Sequence, residues 1–177
     1  MATLTDAFYR DANRVPITED GIITVDSQTL IGDNATVAVP IFRLTGIVEV
    51  RGLWGVVTTV LGSNNTAAYW RLNDQTAQSN ITLNTGTTLS SAAAGSIIVK
   101  KGLAGAALTL LDATQERVSE PTTLETPYFS PFVIVKKPAA NTDIEFVYTT
   151  NQSPTTGAIQ FFIRWLPLSA GAGLAAL

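Results

Sequence analysis

The chain has 177 residues, a formal net charge of −3, 46% hydrophobic and only 14% charged residues, and neither cysteine nor histidine. That length fits one domain with a core of its own, while the missing thiols and imidazoles exclude disulfides, thiolate zinc sites, cysteine nucleophiles and histidine general bases. Soluble proteins average about 25% charged residues, so this composition predicts a surface covered in part by copies of the chain or by partners.

Met1–Tyr9 has neither a basic region nor an apolar run, so no secretory leader is expected and the chain reads as made in the cytoplasm. Residues 1–27 mix polar side chains with Pro16 and hold no sustained period, which predicts an extended arm. Within it, Ile22-Ile23-Thr24-Val25 reads either as a first strand or as a strand added to a neighbour's sheet edge. From Ala35 onward, β-branched and aromatic runs recur between turn signals, and threonine outnumbers lysine and arginine together. Val37–Leu44 shifts its alternation at Pro40, which predicts an edge or a bulge there. Ile47–Leu61 is long enough to turn a corner, with Gly52 and Gly55 around Trp54.

Further strands are expected at 67–72, at Ile81-Thr82-Leu83 and at 96–101, with an apolar run at 106–111. Alanine and leucine leave a helical alternative open over 104–115. Prolines at 121, 127 and 131 predict a long irregular connection over 112–130. Three strands follow, 132–136, 143–150 and 158–166. Ile144, Phe146 and Tyr148 form one apolar stripe, and Ile159, Phe161, Ile163 and Trp165 form another. With Trp54, these residues are the predicted core. Many short strands and little helix predict an all-β fold, an antiparallel β-sandwich or jelly-roll-like domain over 28–168, with a flexible tail at 169–177. No apolar run reaches about 18 residues, so no membrane span is expected.

Chemistry-bearing constellations are sparse. Asp143 and Glu145 leave one face of a strand, an arrangement shared by carboxylate pairs and by ordinary solvated strand faces, and the second reading is adopted. Glu116, Glu120 and Glu125 lie in the long connection without a second carboxylate at a readable spacing. Neither an enzyme nor a cofactor is expected. Lysine and arginine form no basic stripe, so direct nucleic-acid contact is not expected either. The aromatics Trp54, Tyr69, Trp70 and Trp165 suit sugar stacking or, more commonly, a core.

Phe8-Tyr9-Arg10-Asp11-Ala12-Asn13-Arg14-Val15-Pro16-Ile17, followed by Gly21-Ile22-Ile23-Thr24, resembles the opening of small virion proteins of tailed phages, and Arg164-Trp165-Leu166-Pro167-Leu168-Ser169 resembles their ending. The resemblance spans the two ends of the chain. It implies a capsid decoration, or cement, protein on the outer surface of the virion, with the major capsid protein as partner and a homo-oligomer, commonly a trimer, as the acting form. Arg10, Asn13, Arg14, Val15, Pro16 and Ile17 are then the expected capsid contacts. Alternatives are a tail or fibre module that binds a host glycan, which should expose its tryptophans, and a low-copy minor head protein. A cement protein should instead bury Trp54 and Trp165.

Overall fold

The computed structural model describes residues 21–30, 35–83, 86–101, 106–111, 113, 131–151 and 156–177. These residues form strands and turns with no helix among them. The strands are β1 (Ile22–Thr29), β2 (Thr36–Thr45), β3 (Ile47–Thr59), β4 (Asn65–Asn73), β5 (Gln78–Asn80), β6 (Ile97–Lys100), β7 (Leu108–Leu111), β8 (Phe132–Val135), β9 (Asp143–Thr150), β10 (Ala158–Pro167) and β11 (Gly173–Ala176). They build a six-stranded and a five-stranded antiparallel sheet packed face to face.

Pairing is nested. β1 pairs with β10, β2 with β9, β3 with β8 and β4 with β5. The inner neighbours β10 and β3 then join in one sheet, β9 and β4 in the other. A folded-over hairpin of four strand pairs is the connectivity of a jelly roll, two Greek keys sharing one core. Two elements are added to this frame. The β6–β7 hairpin extends the six-stranded sheet beyond β3, and β11 caps the free edge of β2.

The alternation along β9 and β10 decides where the core lies. Ile144, Phe146 and Tyr148 from β9 and Ile159, Phe161, Ile163 and Trp165 from β10 are all buried in it. Phe146 sits at its centre, 4.9 Å between ring centroids from Phe161 of the opposite sheet and 5.8 Å from Trp70. Gly55 faces inward opposite Phe161, and a Cβ there would stand 2.9 Å from Ile159 Cγ2, so this close approach of β3 requires glycine.

Two bulges adjust the alternation. In β2 the register shifts between Pro40 and Phe42, which lets Ile41 and Phe42 both be buried where strict alternation would expose one of them. In β3, Gly52 pairs with Arg164 and Val50 with Trp165, so Arg51 is the extra residue, and the inward phase passes from Val48 and Val50 to Leu53, Gly55 and Val57.

Several expectations are corrected. The boundary of the extended arm at residue 27 falls inside β1, because Ile22–Thr29 pairs residue for residue with β10 of the same sheet. Residues 169–177 are not a free tail: Gly173–Ala176 bonds to β2, and Leu174 is buried in the core. The 104–115 stretch contributes a strand at Leu108–Leu111 where a helix was the alternative, held by its ladder to β6. Ile81-Thr82-Leu83 is a bend following β5, since both Ile81 N and Thr82 N donate to Trp70 O. Trp54 does not join the core. The β3 bulge puts it in the outward phase, and it is half-buried.

Candidate functional site: the outer face of the six-stranded sheet

An antiparallel sheet that covers a core on one side ordinarily turns polar side chains to water on the other. Here much of the outward phase is apolar as well. Following the ladders sideways, Val25 of β1 stands beside Phe162 of β10, Phe162 beside Trp54 of β3, Trp54 beside Val99 of β6, and Val99 beside Thr109 of β7. The adjacent row runs Ser27, Gln160, Val56, Ile97 and Leu111. Four strand spacings of about 4.8 Å give this face a width of roughly 19 Å.

Five large apolar side chains on it remain exposed: Ile23 (55%), Val25 (40%), Ile97 (38%), Val133 (55%) and Val135 (59%). At the centre, the indole of Trp54 lies flat on Phe162, with centroids 5.4 Å apart and planes at 2°. That stack covers one ring face of each residue and fixes the Trp54 rotamer.

Beside the stack, the β3 bulge opens a shallow groove lined by Arg51, Gly52, Leu53, Trp54, Ile97, Val99 and Arg164. Gly52 makes the space, since a Cβ on it would come within 3.1 Å of the Trp54 ring and 3.6 Å of Arg164 Cβ. Arg51 Nη2 contacts Glu49 Oε2 at 3.4 Å at the groove edge. The Arg164 Nε is shut off from solvent and has no hydrogen-bond acceptor among the described residues. A buried donor without an acceptor costs about 1–3 kcal/mol.

The other candidate residues disperse. Trp70 and Trp165 are buried, and Tyr69 projects from the outer face of the five-stranded sheet, on the far side of the molecule from Trp54. The four aromatics therefore share no sugar platform. Trp165 is buried and Trp54 is half-buried. Asp143 and Glu145 do share a face, but the solvated reading is overturned, because both are buried under arginines. Arg43 grips Asp143 through two bonds of 2.9 Å, and Arg71 and Asn73 reach the two oxygens of Glu145 at 2.6 and 2.8 Å. Each carboxylate is thus occupied by the arginine paired with it across the ladder. No cluster of three metal-ligating side chains occurs among the described residues. Arg10, Asn13, Arg14, Val15, Pro16, Ile17, Glu116, Glu120 and Glu125 lie outside the described residues.

Phe162, Val133 and Val135 were not singled out from the sequence, although a signal for them exists. Ile97-Ile98-Val99, Val133-Ile134-Val135 and Phe161-Phe162-Ile163 are apolar in both phases, which in a sandwich marks a strand covered on both faces. Comparison with protein-family models, with curated proteins and with solved structures finds no match for the chain.

Proposed function

We propose that the chain is a structural protein of a tailed-phage virion that decorates the head, docking on the major capsid lattice through the outer face of its six-stranded sheet and so stabilising the shell. The observation that carries the reading is the apolar outer face centred on Trp54 and Phe162, in a chain whose charged fraction is low, at 14%. Jelly rolls recur in capsid and lectin domains, and the architecture alone does not choose between them. The resemblance of both chain ends to small virion proteins favours the capsid role. In this reading Arg10, Asn13, Arg14, Val15, Pro16 and Ile17 add a second contact, the acting form is a homotrimer, and no catalysis or nucleic-acid contact is involved.

A glycan-binding tail or fibre module is the second reading, favoured by the half-buried Trp54 on the outer face beside two guanidinium groups. Copy number separates the two. Full-length protein mixed with heads assembled without it should co-sediment at a stoichiometry comparable to the number of capsomers and raise the temperature at which the heads release DNA. Binding in only a few copies, or none, refutes the decoration role.

A further inference from the structure

We infer that the groove between Trp54 and Arg164 receives an extended segment of a partner protein carrying a carboxylate next to aliphatic side chains. The carboxylate pairs with the Arg164 guanidinium, and an aliphatic group lies over Gly52 against the Trp54 ring. The inference deepens the docking reading above and rests on it for the identity of the partner, though not for the chemistry of the groove.

Three observations converge on that ligand. Arg164 presents a guanidinium whose Nε is buried and unpaired among the described residues, and a planar fork of N–H donors matches a carboxylate. The groove wall around it is apolar at Ile97 and Val99, so the counter-ion must arrive on something that also buries hydrocarbon. Beyond the groove the apolar character continues over Ile23, Val25, Val133 and Val135, an extent that a protein surface covers and a single sugar ring does not.

A second copy of the chain is a poorer occupant. Two copies packed face to face about a twofold axis at Trp54 would bring the Arg164 groups of both toward each other, and like charges across an interface are costly. An acidic glycan is also disfavoured, because the groove sets aliphatic side chains where a saccharide hydroxyl needs hydrogen-bonding partners.

The test has two arms, each using the full chain as wild type, Arg164→Gln, Arg164→Lys and Gly52→Val, with thermal melts confirming that each variant is folded. In the first arm, heads assembled without the protein are titrated. In the second, Trp54 fluorescence is followed on adding a capped seven-residue peptide alternating glutamate and valine, the same peptide with glutamine for glutamate, and an oligogalacturonate. Trp54→Phe identifies the responding indole. We expect the glutamate peptide to bind and the glutamine peptide to bind about tenfold more weakly or not at all. Arg164→Gln and Gly52→Val should weaken both peptide and heads about tenfold or more, with Arg164→Lys between.

If wild-type protein binds heads and all folded variants bind them equally, the groove inference is wrong and the decoration reading stands. If heads are not bound, the decoration reading fails, and the groove is then judged by the peptide alone. A response to the glutamate peptide that Arg164→Gln abolishes upholds it, and no response overturns it. Tighter binding of the oligogalacturonate than of the peptide also overturns it, in favour of the glycan module.

Discussion

The indole N–H of Trp165 donates to Thr24 Oγ1 at 3.0 Å, and the Thr24 hydroxyl donates in turn to the carbonyl oxygen of Leu174 at 3.1 Å. One threonine on β1 thus links β10 of its own sheet to β11 of the other along the side of the sandwich where the two sheets have no ladder in common. Thr24→Val keeps the shape and removes the relay, leaving a buried Trp165 N–H without an acceptor. It should lower unfolding stability by about 1–3 kcal/mol in urea titration, whereas Thr24→Ser should lose less than half of that. Equal midpoints for Thr24→Val and wild type would show that the relay contributes nothing.

Gly55 and Gly52 test the two faces of β3. An added methyl at Gly55 meets Ile159 at 2.9 Å and Phe161 at 3.1 Å inside a packed core, so Gly55→Ala should destabilise by about 1–3 kcal/mol. Gly52→Ala meets the edge of Trp54 at 3.1 Å on the outer face, a wider gap than the 2.9 Å at Gly55 and outside the packed core, and should cost less. Melting temperatures of the two variants decide. The reverse order would place Trp54, and not Phe161, in the tighter environment.

On the five-stranded sheet, the two arginine–carboxylate pairs differ in burial. Arg71 and Glu145 have side-chain exposures of 15% and 9%, whereas Arg43 is 42% exposed. Arg71→Ala strands a buried carboxylate and should cost about 3 kcal/mol, against about 1 kcal/mol or less for Arg43→Ala. Chemical denaturation of both variants measures the difference, and equal losses would contradict it.

Asp74 sets a pH dependence. Its carboxylate accepts the backbone N–H groups of Thr76 and Ala77 and contacts Lys137 Nζ at 3.2 Å. These bonds hold its pKa well below the ordinary carboxylate range. A group depressed on folding contributes stability that is complete above its unfolded value, about 4, and is lost as pH falls through the lower folded value. The stability difference between wild type and Asp74→Asn should be constant from about pH 6 down to that unfolded value and then shrink toward pH 2. A difference that grows on acidification would contradict the assignment.

What the sequence made legible was decided by periodicity. The stripes of β9 and β10 named core residues correctly because a residue spacing of two survives any sheet order, and Pro40 marked its bulge because proline cannot donate to a ladder. Trp54 was misplaced because a single extra residue, Arg51, exchanges inward and outward phases, and bulges leave no fixed signature. The burial of Asp143 and Glu145 depends on Arg43 and Arg71, which lie far away in sequence and become neighbours only through sheet order. The second apolar face was written in the strands that are hydrophobic in both phases, but a single sequence does not say which of two faces meets the core.

Nested pairing also fixes when the molecule becomes itself. Among the described residues β3 finds its ladder partners in β6, β8 and β10, and β9 is the strand that joins β2 to β4. A ribosome that has released the first half of the domain has therefore produced four long strands with no sheet to enter apart from local hairpins. Closing loops of such length is entropically slow, so folding belongs to the time after Ala158–Pro167 emerges and to the slow end of the range for small domains. Until then β1 and the β10-facing edge of β3 have no ladder partner, and an unpaired strand edge is where a nascent chain can pair with its siblings.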